Sequence, residues 1–255
     1  MEWYPLDPKK LKQDIDSYLS QAEEDEKVQK IKSQIEAGER KIHGLVVPHA
    51  GYDFSGSVAA KAYSLLYFKK DKKEKSKFKK AIILAPSHQA IFRGVASVHK
   101  LETPLGEMPI MKSDYSPGSY EHAIDNQIPF LQYIGVEKVL PLVIGQVSMS
   151  EIESIAKEIL KKKDDETIII ISTDLSHFLS YEYAKKIDTT SIRTIENLED
   201  NPEDIDACGK SALLIMIEAC RQKKWKPELI EYKNSADTMP ELGKEKVVGY
   251  ASMMF

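Results

Sequence analysis

At 255 residues, 42% hydrophobic and 30% charged, the chain has the composition of an ordinary globular protein able to bury one large core. A net charge of −4 supplies no basic field for nucleic acid, and no apolar stretch reaches the length that spans a bilayer. Two cysteines, Cys208 and Cys220, make no disulfide framework, and Met1-Glu2-Trp3-Tyr4-Pro5 lacks the regions of a signal peptide, so a reducing cytoplasm is the expected location.

From Asp7 to Arg40, Leu11, Ile15, Leu19 and then Val28, Ile31, Ile35 recur at helical spacing and predict two amphipathic helices. A strand is expected at about Ile42 to Val47. Ser55-Gly56-Ser57 then opens a helix running through Leu66, with Ser55 or Ser57 as N-cap. The lysine-rich run from Phe68 to Lys80 reads as a solvated loop. Ala81 to Ala85 is the next strand, Phe92 to Val98 another, and Thr103-Pro104-Leu105-Gly106 a turn. His122 to Tyr133 reads as one helix stopped by Gly135. Val139 to Ile144 reads as a strand interrupted by Pro141. Ser148 and Glu151 form a capping signature before a helix ending in Lys161-Lys162-Lys163. Thr167 to Thr173 is the most strand-like run. Tyr181 to Leu198 and Gly209 to Lys223 follow as helices, and Leu229 to Asn234 and Val247 to Met254 as strands. This alternation predicts an α/β fold: a three-layer α/β/α sandwich around a mixed, mostly parallel sheet. Residues 1–255 are expected to form a single domain, with the helices of 1–40 packed on its core.

Three of the six histidines follow apolar runs: Pro48-His49, Pro86-Ser87-His88 and Asp174-Leu175-Ser176-His177. Ligands in open α/β sheets sit beyond the carboxyl ends of the strands, where these imidazoles would emerge. His49 or His88 alone reads as a packed strand-end histidine; leaving neighbouring strands together, they can reach one ion. Asp174 either orients and charges His177 as a general acid/base or caps the next helix with His177 packed beneath it. Cys208, before an apolar helix and near Lys210, reads either as a thiol of lowered pKa or as a small buried hydrophobe. Glu121-His122 begins a segment with Asp125 and Gln127 in which His122 and Asp125, one turn apart, would share a face; it is either an element that supports the site from outside or contacts substrate, or simply a helix start. Cys220, His43 and His99 are assigned structural or surface roles. Dinucleotide, P-loop, nucleophile-elbow and structural-zinc motifs are absent.

The ordered set Tyr4-Pro5, Pro48-His49-Ala50-Gly51-Tyr52, Ser55-Gly56, Pro86-Ser87-His88, Thr103-Pro104-Leu105-Gly106, Glu121-His122, Thr173-Asp174-Leu175-Ser176-His177, Ala207-Cys208-Gly209 and Val248-Gly249-Tyr250 resembles the Memo family over nearly the whole chain. That family is similar in fold to the class III extradiol dioxygenases. The resemblance implies metal ligands at His49, His88 and Cys208, an acid/base at His177 beside Asp174, and a substrate pocket including Tyr52, His122, Asp125, Gln127 and Tyr250. Cys208 stands where a dioxygenase has a carboxylate, and Asp125 where the family usually has glutamate. The resemblance also implies association with an AMMECR1-like protein and a radical SAM protein.

Three functions follow as expectations. The first is a mononuclear metal-dependent redox protein, with iron(II) or copper favoured over zinc. The second is a module that holds a peptide or protein in the cleft; the motif loops bring only Arg93 near it for an anionic partner. The third is a hydrolase using metal-activated water.

Overall fold

The computed structural model describes residues 3–67 and 76–255, so most of the lysine-rich run lies outside the described residues. Helices α1 (Pro8–Glu23) and α2 (Glu26–Glu36) precede strand β1 (Gly44–Val47); a π-turn at Tyr52–Gly56 leads into α3 (Ser57–Ser64). Then come β2 (Lys80–Pro86), β3 (Val95–Val98), the hairpin β4 (Glu102–Thr103) and β5 (Gly106–Glu107), and β6 (Ser116–Gly118). Next are α4 (His122–Asp125), α5 (Ile128–Tyr133), β7 (Lys138–Ile144), α6 (Met149–Lys162), β8 (Thr167–Ser172) and β9 (His177–Leu179). The chain closes through α7 (Tyr181–Glu196), α8 (Lys210–Lys223), β10 (Glu228–Asn234), α9 (Ser235–Thr238) and β11 (Val247–Met254).

Strand side chains alternate between faces, so each inner strand feeds two cores. Leu45, Val47, Ile83, Ile168 and Ile170 pack with apolar residues of α1 to α5. Val46, Ile82, Leu84, Ile169 and Ile171 pack with those of α6, α7 and α8. The result is the expected α/β/α sandwich. Among the described residues the sheet has nine strands in the order β10-β11-β1-β8-β2-β7-β3-β6, with β9 paired to β11. Strands β1, β8, β2 and β7 are mutually parallel. Antiparallel pairing of β11 with β1 and of β3 with β7 makes the sheet mixed. Val47 registers with Ser172 and Pro86 with Ile144, so these parallel strands end together at one edge. His49, Asp174 and His88 leave that edge from β1, β8 and β2.

Several local expectations are corrected. The histidine-bearing strands β1 and β2 are not neighbours, because β8 lies between them. Neither Ser55 nor Ser57 caps α3: the chain is already coiled from Tyr52, and the Ser55 hydroxyl donates to Ala50 O. His122 to Tyr133 is two short helices. Pro129, in the first turn of α5, has no N–H to continue the ladder, and the Asn126 and Gln127 side chains turn to the carbonyls of His49 and Pro48. Strand β7 runs through Pro141 unbroken. Val139 N–H points away from β2, to Pro109 O, so the like-sided nitrogen of Pro141 also faces away from β2, short of the Leu142 to Ile144 stretch paired with β3. Strand β3 begins at Val95, with Arg93 in an isolated bridge to Gln146. The capping box at Ser148 and Glu151 forms as expected.

The turn into α8 is packed against the end of β8. A Cβ on Gly209 would lie 2.6 Å from Thr173 Cβ and 2.7 Å from Thr173 Oγ1. Gly209→Ala is therefore expected to cost roughly 1–3 kcal/mol as an overpacked contact, read as a lowered Tm in calorimetry. An unchanged Tm would show that the β8 end yields freely.

Candidate metal centre

The His49 ring is placed by one chain of hydrogen bonds. Pro48 O can only accept, so Gln127 Nε2 (3.0 Å) is a donor, and the amide orientation is fixed. That nitrogen also donates to Ser172 Oγ at 2.8 Å, while Gln127 Oε1 accepts from Tyr63 Oη at 2.9 Å. The Ser172 hydroxyl gives its one proton to Ala123 O at 2.6 Å. At Ser172 Oγ, 3.0 Å away, His49 Nδ1 can only donate. Nε2 of neutral His49 then carries the lone pair. Burial lowers the His49 pKa to about 4; the His88 and His122 rings act in the same direction, and Asp174 opposes them. The ring is therefore neutral throughout the physiological range.

Glu121 does the equivalent for two further rings. Its Oε1 lies 2.9 Å from His88 Nδ1 and 3.1 Å from His122 Nδ1. Backbone N–H groups of His88 and Ala123 donate to the same carboxylate at 2.7 and 3.2 Å. Burial would raise the Glu121 pKa, but these hydrogen bonds outweigh it and hold the carboxyl far below its usual range. An ionised Glu121 accepts from the Nδ1–H of both imidazoles, so that in the neutral form of each ring the lone pair is on Nε2. Such outer carboxylates fix ligand tautomers at metal sites.

The three rings converge. One ring nitrogen each from His49, His88 and His122 lies within 4.8 Å of the others. Ring centroids are 5.2 Å apart for His49 and His88, 5.6 Å for His49 and His122, and 4.4 Å for His88 and His122. His49 is 3% exposed, and the side chains of His122 and His88 are 13% and 30% exposed, so the group opens to solvent on the His88 side. Trp3 stacks flat on His122 at 4.3 Å, and Trp3 O accepts from Tyr52 N. The donor set fits a transition metal: imidazoles suit zinc, copper, iron or nickel.

Cys208 Sγ lies 3.3 Å from His49 Nε2. Its backbone N–H donates to Asp174 O, and Asp174 N–H donates to the sulfur at 3.3 Å. The expectation of a lowered thiol pKa is corrected. Burial first, and the Asp174 charge second, push it up to about 12, outweighing the hydrogen bonds to the sulfur. Without a cation this thiol stays protonated. A cleft of about 260 Å³ reaches it beside Phe92 and Ser211.

The sequence ligand set and the geometric group share His49 and His88. They differ in the third member, Cys208 in one and His122 in the other. Asp174 is not a helix cap: its Oδ1 accepts from His49 N at 2.8 Å, and among the described residues no hydrogen bond joins it to His177. His177 sits on β9 opposite Val248, its ring against Phe178. Phe178 has a left-handed φ of 59°. The other pocket residues are buried. Asp125 accepts from Tyr4 Oη at 2.6 Å, Tyr52 Oη donates to Asn126 O, and burial, helped by the nearby Asp174 charge, raises the Tyr250 pKa. An outer role was one of the two functional readings of the Glu121-His122 segment, and Glu121 takes it; the parts of Trp3 and Ser172 were not foreseen. His43 stacks on Trp225 at 4.2 Å, and His99 is exposed, as expected.

The family model described as Memo-like protein matches residues 2–254. A MEMO1 family protein of Methanobrevibacter smithii is 32% identical, over 83% of this chain and 82% of its own length. One from Methanococcoides burtonii is 31% identical over 99% of this chain and 96% of its own, and one from Saccharolobus solfataricus is 28% identical over the same shares.

The lowered His49 pKa has a consequence for stability. The unfolded imidazole titrates near 6.5 and the folded one near 4, so between these values the unfolded state binds more protons. This contribution is intact above pH 6.5 and is lost as pH falls toward 4, by an amount on the order of 3 kcal/mol. Urea unfolding at stepped pH should show wild type losing more stability across that window than His49→Gln. Parallel curves would contradict the burial-lowered pKa of His49.

Proposed function

Because the chain belongs to the Memo family, we propose that it is a mononuclear metal-dependent redox protein whose ion is held by His49, His88 and His122, with Cys208 the adjoining donor. The convergence of three tautomerically fixed imidazoles carries this reading. A copper or iron ion would supply electron-transfer or oxygen chemistry at that point; a thiol among imidazoles suits copper, and an imidazole set with open positions suits iron(II). His49 presents a lone pair at neutral pH because Ser172 holds its proton on Nδ1. Glu121 keeps the other two rings oriented and lends them negative charge, which raises their basicity as ligands. His177, three residues beyond Asp174 and at the start of β9, is the candidate proton carrier.

The nitrogen-only group also favours a second reading, a zinc-dependent hydrolase, since three imidazoles and one open position activate water. Metal analysis of untagged protein purified without added metal separates the two. About one equivalent of copper or iron, lost in His49→Ala and His88→Ala, supports the redox reading. Zinc with esterase activity that fails in His177→Ala supports the hydrolase. His122→Ala is expected to weaken metal affinity at least about tenfold, as is Glu121→Gln. Traces of metal unaffected by any of these substitutions would remove both readings.

Trp3 supplies an independent readout. The chain has two tryptophans, and Trp225→Phe leaves Trp3, stacked on His122, as the only tryptophan, excited selectively beyond the tyrosine absorption. Copper(II) should quench its fluorescence saturably at one equivalent, and His122→Ala should raise the copper concentration needed at least about tenfold. Quenching at the same copper concentration in His122→Ala would place the ion elsewhere.

A further inference from the structure

Beside the imidazole group lies a concavity that the proposed chemistry does not use. It is a cleft of about 390 Å³ between the chain leading into β3 and the end of β6, with apolar walls that include Phe92, Val95, Pro117 and Val143. Two charged side chains line it, Arg93 and Glu121. Glu121 is committed to His88, His122 and two backbone N–H groups, so it offers little to a cationic ligand. The Tyr120 hydroxyl, also on the cleft wall, is engaged with Asp125.

Arg93 is in a different position. Arg40 and Arg221 are tied to Glu228 and Asp200, whereas among the described residues Arg93 is in no ion pair. A planar guanidinium at the rim of an apolar slot matches a planar carboxylate, which it can hold through two parallel hydrogen bonds. No second cation lines the cleft among the described residues, so a monoanion is better matched than a phosphate dianion. The volume lies at the lower end of the range for small-molecule sites. We propose that this cleft binds a small carboxylic acid with an apolar or aromatic body, its carboxylate on Arg93 and its body between Phe92 and Val143. The binding needs no ion on the imidazoles, so it stands or falls apart from the metal reading.

Proton–nitrogen NMR titration of the metal-free full chain with phenylacetate tests this. Saturable shifts are expected at the amides of Gly94, Ala96 and Gly118. Phenylacetamide, the neutral analogue, should bind at least about tenfold more weakly, and phenyl phosphate no more tightly than phenylacetate. Arg93→Ala should lose about tenfold or more in affinity, with Arg93→Lys intermediate because an ammonium cannot reproduce the two-pronged contact. Arg93 is an exposed side chain, so unchanged core resonances in both variants serve as the folding control. Binding should persist in His49→Ala, which separates this proposal from the metal centre. Absence of saturable shifts at millimolar phenylacetate, equal binding by Arg93→Ala or by phenylacetamide, or tighter binding of phenyl phosphate would each overturn it.

Discussion

One hydroxyl proton governs what His49 can do. Ser172 sits at the last position of β8, where its oxygen meets an acceptor-only carbonyl, an amide donor and an imidazole. Its proton has one destination, Ala123 O, so both remaining neighbours must donate. This forces His49 into a single tautomer and points its free lone pair at the Cys208 sulfur. Without that constraint the imidazole could flip or present N–H to the site. Its near-complete burial would then leave it an inert core histidine.

The fold exists around this constraint as much as the constraint depends on the fold. Strand β8 separates the two strands that deliver His49 and His88, and its own end supplies Ser172 and then Asp174. Asp174 binds the backbone of His49 on one side and the Cys208 segment on the other. Consecutive residues at the end of one buried strand thereby set an imidazole, a thiol and the turn into α8. The break between α4 and α5 serves the same end. A continuous helix would keep Asn126 and Gln127 on its surface; the break turns both toward the His49 loop. Glu121, capping α4, joins its helix start to His88 from β2.

The sandwich was legible because the apolar runs at 167–171 and 81–85 are short, rich in isoleucine or other aliphatics and bounded by turn residues, as doubly covered strands are. The emergence of His49 and His88 at one sheet edge was legible for the same reason. What sequence could not supply was depth and pairing. Strand order is set by long-range register, so β8 between β1 and β2 left no local trace. The thiol of Cys208 carried a helix-start signal, but burial, which is a tertiary property, reversed its sign. His122 and Asp125 were expected to share one helix face. Instead α4 ends within a turn, Asp125 goes to Tyr4 and His122 joins the other imidazoles beneath Trp3. A four-residue helix has too little periodicity to reveal its orientation.

X-ray absorption fine structure on protein loaded with one equivalent of copper or iron probes the ion's own neighbours. Multiple-scattering signals from three imidazole rings are expected, falling to two in the His122→Ala variant. A first shell of oxygen scatterers, or an imidazole count indifferent to removal of His122, would contradict a centre built on His49, His88 and His122.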